Sequence, residues 1–259
     1  MRDLIIEAFG LTKHAALLDK RIPKTTFFEQ EGCDAQDREL LTDEVESLTL
    51  LAVFNTSTTN IPTFQDEDHH YEELYLFYVE LRTDKHVNRI AELLHVMIPN
   101  PVLIVFAHEG KISLSTAEKR LNKNAEGKTV VEAVLTSPWM ASAPKDDQER
   151  TFLASLAIMN WSHQSLLFFQ RDAERIILAS CLASIAGSFV FSYKLDILEA
   201  TRLLQDYGAS LGRIKALEKD EKDTSHFGEK MRIHMAANNE RKMLESLTQT
   251  IKALVQSLT

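Results

Sequence analysis

Hydrophobic positions follow two regimes along the chain, and the change falls near residues 138–144. Before that point apolar residues come in short runs bounded by turn-forming residues. Residues 48–54 (LTLLAVF) and 74–82 (LYLFYVELR) are apolar, aromatic and partly β-branched, and each predicts a strand. Residues 102–106 (VLIVF) are apolar throughout, the pattern of a central strand covered on both faces. Between them Val87, Ile90, Leu94 and Met97 recur at helical spacing, and Pro99 and Pro101 end that helix. Glu109-Gly110 turns the chain into a hairpin partner at 111–114, and 129–135 reads as an edge strand. Ser115-Thr116-Ala117-Glu118 matches a capping box and predicts a short basic helix. At the start, Leu4, Ile5, Phe9, Leu11, Ala15 and Leu18 predict two short helices within residues 1–20, broken at Gly10. Residues 29–46 read as an acidic helix, 55–62 as a polar loop and 66–70 as a solvated acidic loop.

Beyond residue 144 the pattern turns helical over 147–159 and 162–186 and becomes long and amphipathic from Asp196 on. Leu211, Ile214 and Leu217 share one helix face. Leu244, Leu247, Ile251, Leu254 and Leu258 follow 3,4,3,4 spacing, a heptad seam. A bend at 224–228 makes the two an antiparallel helical hairpin over about 196–259. The expected fold class is α+β. It comprises N-terminal helices over 1–20, a mixed-sheet domain over 21–137 and a helical region over 145–259.

Composition narrows the function more than it names one. With 44% hydrophobic and 26% charged residues among 259, the chain reads as an ordinary globular protein. The formal charge of -9 argues against a general nucleic-acid coat. That deficit is local, because residues 29–46 hold eight acids against one base and residues 66–84 seven against one. Cys33 and Cys181 have no paired spacing, so neither a zinc site nor a disulfide framework is expected. The first residues do not have the form of a signal peptide, and the apolar stretch 176–191 is too short to span a bilayer. A cytoplasmic protein with no membrane association, no cofactor, no metal and no small-molecule substrate is expected.

Candidate chemistry is sparse. Glycine-rich phosphate loops and nucleophile elbows are absent from the sequence. Glu80 and Arg82 lie two apart on a strand and so share a face. With a preceding acid, Asp66 or Asp68, they resemble the acid…Glu-x-basic arrangement of Mg²⁺-dependent nucleases, in which carboxylates hold the ion and a base helps position water. Arg stands where Lys is usual, and a cross-strand ion pair is the simpler reading. Lys111, Lys119, Arg120, Lys123 and Lys128 form a local basic cluster, a candidate phosphate contact, although Glu118 and Glu126 interrupt it. His69-His70 read as part of a hydrated acidic loop, and His95 and His108 as core or rim residues. The faces Leu211, Ile214, Leu217 and Leu244, Leu247, Ile251, Leu254 are the candidate partner-binding surfaces.

Four segments carry a resemblance that covers nearly the whole chain. They are Arg21-Ile22-Pro23-Lys24, Thr58-Thr59-Asn60-Ile61-Pro62, and Ile98-Pro99-Asn100-Pro101-Val102-Leu103 with residues 113–122 (SLSTAEKRLN). The fourth is the charged helical hairpin carrying Asn238-Asn239-Glu240-Arg241-Lys242. Together they resemble the bacterial domain of unknown function 4391 family. The resemblance implies no catalytic residues. It implies a setting beside helicases and DNA methyltransferases in restriction–modification-like defence loci. The expectation is a non-enzymatic accessory subunit that contacts those proteins or a second copy of itself, with at most a weak DNA contact. The alternative is a divergent Mg²⁺-dependent nuclease centred on Glu80.

Overall fold

The computed structural model describes residues 1–30, 33–123, 125 and 129–259. It is α+β and divides into two compact units, Met1–Ile177 and Leu178–Thr259.

The first unit is built on a seven-stranded sheet among the described residues. Its strands are β1 (Leu17–Arg21), β2 (Val45–Phe54), β5 (Leu74–Leu81), β6 (Val102–His108), β7 (Lys111–Leu121) and β8 (Thr129–Thr136), in that spatial order, with the short β9 (Met140–Ala141) also pairing with β7. A separate two-residue hairpin joins β3 (Phe64–Gln65) to β4 (His70–Tyr71). All pairings are antiparallel except β5 with β6, where Phe77 lies beside Ile104 and Val79 beside Phe106. A parallel pair needs a crossover, and α5 (Val87–Met97) supplies it. This helix buries Ile90, Leu93, Leu94 and Met97 in one core with Phe77, Val79, Ile104 and Phe106. Each fully buried side chain of this size contributes about 1.5–3 kcal/mol, so the crossover is held by its apolar stripe.

Two lysines finish helices in this unit. In α3 (Ala35–Glu44), Asp34 and Asp37 form a reciprocal cap at the start. At its far end Lys24 Nζ donates to the carbonyls of Leu41 (3.2 Å), Thr42 (3.0 Å) and Val45 (2.6 Å). These are orphan carbonyls of a helix end, where a cation is favoured. Lys119 does the same for the end of α5, as described below. A second core joins Phe9, which follows α1 (Arg2–Ala8), to Trp161, which follows a 3₁₀ turn at Ile158–Asn160. Phe169, at the start of α7 (Leu166–Ala186), completes it with Phe54, at ring separations of 4.8–6.1 Å. The remaining helices of the unit are α2 (Thr25–Phe28), α4 (Thr56–Thr59) and α6 (Asp147–Ser155).

Several local expectations give way to tertiary pairing. The second N-terminal helix is instead the edge strand β1, whose Leu18 is exposed while Leu11 and Ala16 are buried before it. The capping-box segment 115–118 does not open a helix. It continues β7, because the ladders to β6 and β8 satisfy its backbone. Residues 55–59 form the single turn α4 rather than open loop. Asn55 caps it at one end, and Asn60 in the left-handed region (φ 57°) closes the other. The acidic loop at 66–70 is the turn of the β3–β4 hairpin. Glu31, counted in the acidic helix, lies outside the described residues.

The second unit consists of the last residues of α7 and a hairpin of α8 (Ile197–Asp223) and α9 (Phe227–Ser257). Asp196 caps α8 through the amide of Glu199 (2.9 Å), and the bend at 224–226 separates the helices. Among the described residues no helix is long and apolar enough to cross a membrane.

Candidate functional site

The structure separates the carboxylates of the nuclease-like set. Glu80 sits near the C-terminal end of β5, accepts from Ser47 Oγ at 3.4 Å, and lines a shallow cleft with Arg2, Asp3, Ser47, Thr49 and Tyr78. Asp66 and Asp68 sit in the β3–β4 turn before the other end of β5. The six residue steps from Leu74 to Glu80 alone span about 20 Å in a strand, too far to share one ion. Each acid also has its own partner. Asp66 accepts from the His69 and Asp68 amides and faces the His69 ring, and Asp68 pairs with Lys123 at 2.8 Å. Lys123 holds the Asp68 carboxyl below the usual range. Arg82 is engaged elsewhere. It binds Glu46 (2.5 Å) and the Thr42 carbonyl (2.7 Å). Among the described residues no group of three His, Cys, Asp or Glu side chains is placed to hold a metal ion.

The basic cluster is not one patch either. Lys111 is exposed at the start of β7, and Lys119 lies eight residues, or about 26 Å, further along the strand. Arg120 is tied to Glu132 at 2.5 Å and Lys123 to Asp68. Lys128 and Glu126 lie outside the described residues. Lys119 is 1% exposed and so cannot meet a phosphate backbone as a surface lysine.

What assembles around Lys119 is the most unusual polar site of the first unit. Residues 113, 115, 117 and 119 share one face of β7. On that face Ser115 Oγ meets His95 Nε2 of α5 at 3.0 Å and donates to the Leu135 carbonyl at 2.9 Å. Lys119 Nζ donates to the Ile98 carbonyl and to the Asn100 carbonyl (2.8 Å), closing the end of α5. Its amide N–H donates to the Tyr71 hydroxyl at 3.2 Å. Among the described residues no carboxylate pairs with this ammonium. Burial pushes the Lys119 pKa down to about 7. Burial, with the Lys119 charge nearby, pushes His95 down to about 3, and His95 Nδ1 is buried without a hydrogen-bond partner. A cavity of 130 Å³ opens beside the lysine, lined by His70, Tyr71, Asn100, Leu121 and Thr129 together with Pro99 and Pro101.

The opposite face of β7 carries a second polar set. His69, 8% exposed, bridges Asp66 (2.9 Å) and Glu118 (2.7 Å) through its two ring nitrogens. It is thus a buried bridge rather than a hydrated loop residue. Gln170 of α7 donates to the Ala117 carbonyl (2.8 Å) and to Glu174 (3.2 Å). Burial, with Glu118 nearby, raises the Glu174 carboxyl to about 7. Sequence reasoning missed both sets. The signal was the alternation Ser113, Ser115, Ala117, Lys119, which runs on through the supposed helix start with period two.

In the second unit the hairpin faces its own seam. Ile214, Ala237, Ile251 and Val255 are buried, and Leu211, Leu217, Leu244, Leu247 and Leu254 are half-buried. Arg213–Glu240 (2.6 Å), Arg241–Glu218 (2.7 Å) and His234–Glu221 (3.1 Å) join the two helices along it. The apolar side chains left in solvent are different ones. Phe227 (76% exposed), Met231, Met235 and Met243 lie on α9. Neither cysteine is in a disulfide among the described residues; Cys33 is buried and Cys181 half-buried.

A family model described as a domain of unknown function (DUF4391) matches residues 14–244. No curated protein and no solved structure matches the chain.

Proposed function

The chain belongs to the DUF4391 family, and from that premise we propose that it is a non-enzymatic interaction subunit of a bacterial defence assembly, contacting a helicase or DNA methyltransferase through the outer face of α9. The setting comes from the family resemblance. The observation that supports docking is the solvent face of the hairpin. At 100° per residue, Met231, Met235, Met243, Arg232 and Lys242 fall within a sector of about 120°, and no carboxylate falls inside it. All five are exposed. Exposed methionines give an adaptable apolar surface, and the flanking bases suit a partner groove rimmed by acids. The heptad seam contributes less to docking than its spacing suggests, because α8 already covers much of it.

The test is pull-down of the co-encoded helicase or methyltransferase with the full chain and with a Met231→Glu/Met235→Glu variant. Both positions are exposed, so the variant should keep its fold, which circular dichroism would check. At least a tenfold loss of affinity is expected. Undiminished binding by the variant would refute docking through this face.

A further inference from the structure

We propose that Lys119 is a reactive amine and that the cavity beside it admits a small neutral aldehyde, which the amine captures as an imine. The geometry around Nζ carries this. Lys119 is 1% exposed, and among the described residues the partners of its nitrogen are main-chain carbonyls alone, those of Ile98 and Asn100. A neutral amine has two N–H bonds and one lone pair. The two carbonyls take the two N–H bonds, and the lone pair is left on the remaining side. An ammonium in the same place would carry a third N–H with no acceptor among the described residues and no counter-charge, a costly arrangement in a dry site.

The charges facing the lysine do not restore the ammonium. From α5 comes His95, held neutral, and from β4 come Tyr71, with its hydroxyl pKa raised by burial, and His70, which pairs with Glu72 at 3.3 Å. Thr129 of β8 donates to the Pro99 carbonyl. Glu118 and Arg120 flank Lys119 in sequence but project to the other face of β7. The end of the α5 dipole favours a cation, but within a buried site desolvation outweighs that fraction of a charge, and the pKa near 7 reflects the balance.

The cavity selects the electrophile. At 130 Å³ it is slightly smaller than the ~150 Å³ cavity known to hold benzene, so it suits about four to six heavy atoms. Pro99, Pro101, Leu121 and the Tyr71 ring line it. Among the described residues its lining offers an anion no second lysine and no arginine, and its one histidine, His70, is already paired with Glu72. A neutral carbonyl compound fits better. The lone pair of Nζ attacks the carbonyl carbon, a C–N bond forms, and the oxygen takes up a proton to give the carbinolamine. The C–O bond then breaks, and the oxygen leaves as water with the hydrogens formerly on nitrogen. No redox partner is needed.

The full chain would be incubated with propionaldehyde and cyanoborohydride at pH 7, and the propylated lysines mapped by peptide mass spectrometry. Cyanoborohydride delivers hydride to the imine carbon and fixes the adduct as a secondary amine. Lys119 should label at least about ten times faster than the exposed Lys85 and Lys111 at that pH, and the advantage should vanish near pH 10.5, where about half of any ordinary amine of this type is neutral. A Thr129→Trp variant, which narrows the cavity at an exposed position, should slow labelling of Lys119 and leave Lys85 and Lys111 unchanged. Labelling of the two surface lysines with Lys119 untouched would overturn the proposal and make Lys119 a purely structural ammonium. Undiminished labelling of Lys119 in the Thr129→Trp variant would overturn the role of the cavity.

Discussion

Lys119 has a thermodynamic signature that is separate from its reactivity. Its pKa falls from 10.5 in the unfolded chain to about 7 in the fold. Between those values the unfolded chain binds a proton that the folded chain does not, so unfolding takes up nearly one proton. Stability from this group is therefore fully present above 10.5 and is lost as pH falls through 7. Three and a half pH units at about 1.4 kcal/mol each bound the effect at about 5 kcal/mol. Over the accessible interval from pH 7 to pH 9 the expected gain is about 2 kcal/mol, since the lysine is half ionised in the fold at pH 7. The lysine is fully buried, so no discount for surface screening applies. The assay is urea unfolding at pH 7, 8 and 9 for the native chain and for Lys119→Met. The native chain should gain stability across that interval relative to the variant. Parallel pH profiles for the two proteins would show that Lys119 stays ionised in the fold and would refute the burial reasoning.

Other expectations follow from single residues. Glu174 has the opposite sign, because its folded pKa is raised from 4.5 to about 7. Its contribution is present below 4.5 and lost as pH rises through 7, so Glu174→Gln should stabilise the protein at pH 8 by about 1–3 kcal/mol in the same unfolding assay. Lys24→Met removes three hydrogen bonds to the end of α3 and should cost about 1–3 kcal/mol at pH 7, read by thermal unfolding. Ile251→Ala empties a fully buried position of the hairpin and should cost about 2–5 kcal/mol, with protease cleavage appearing first within α8 and α9. Arg213→Ala, at an exposed ion pair, should change stability little, and a large loss there would contradict a solvated seam margin.

The sequence made the fold legible wherever burial is two-sided or a period is sustained. The runs 74–82 and 102–106 are apolar because they lie in the middle of the sheet, and the heptad spacing of α9 exists because α8 covers it. Edges and caps were harder to read. Residues 17–21 are a polar edge strand, and nothing local distinguishes them from a helix end. Ser115 to Glu118 satisfy a capping pattern, yet two neighbouring strands take their backbone groups. The same misreading hid the lysine site. A basic residue of an expected surface helix is instead buried, with its amino group drawn against the end of α5. Asp66 and Asp68 precede Glu80 by little in sequence, but the extended strand β5 carries Glu80 away from the turn that holds the two aspartates.

The end of the sheet at β8 bears on solubility. Its segment 129–135 (TVVEAVL) combines high β-propensity with a single charge, and its outer backbone groups have no strand partner among the described residues. Two devices guard it. A register shift lies where Ala117–Val134 gives way to Lys119–Val131 and twists the edge, and Glu132, anchored by Arg120, sits within it. Glu132→Val would leave folding stability nearly unchanged while giving neighbouring molecules a flat, uncharged strand to extend. Its effect should appear as concentration-dependent fibrillation rather than as a lower melting temperature. The gatekeeper at this edge thus protects the population of molecules more than any one of them.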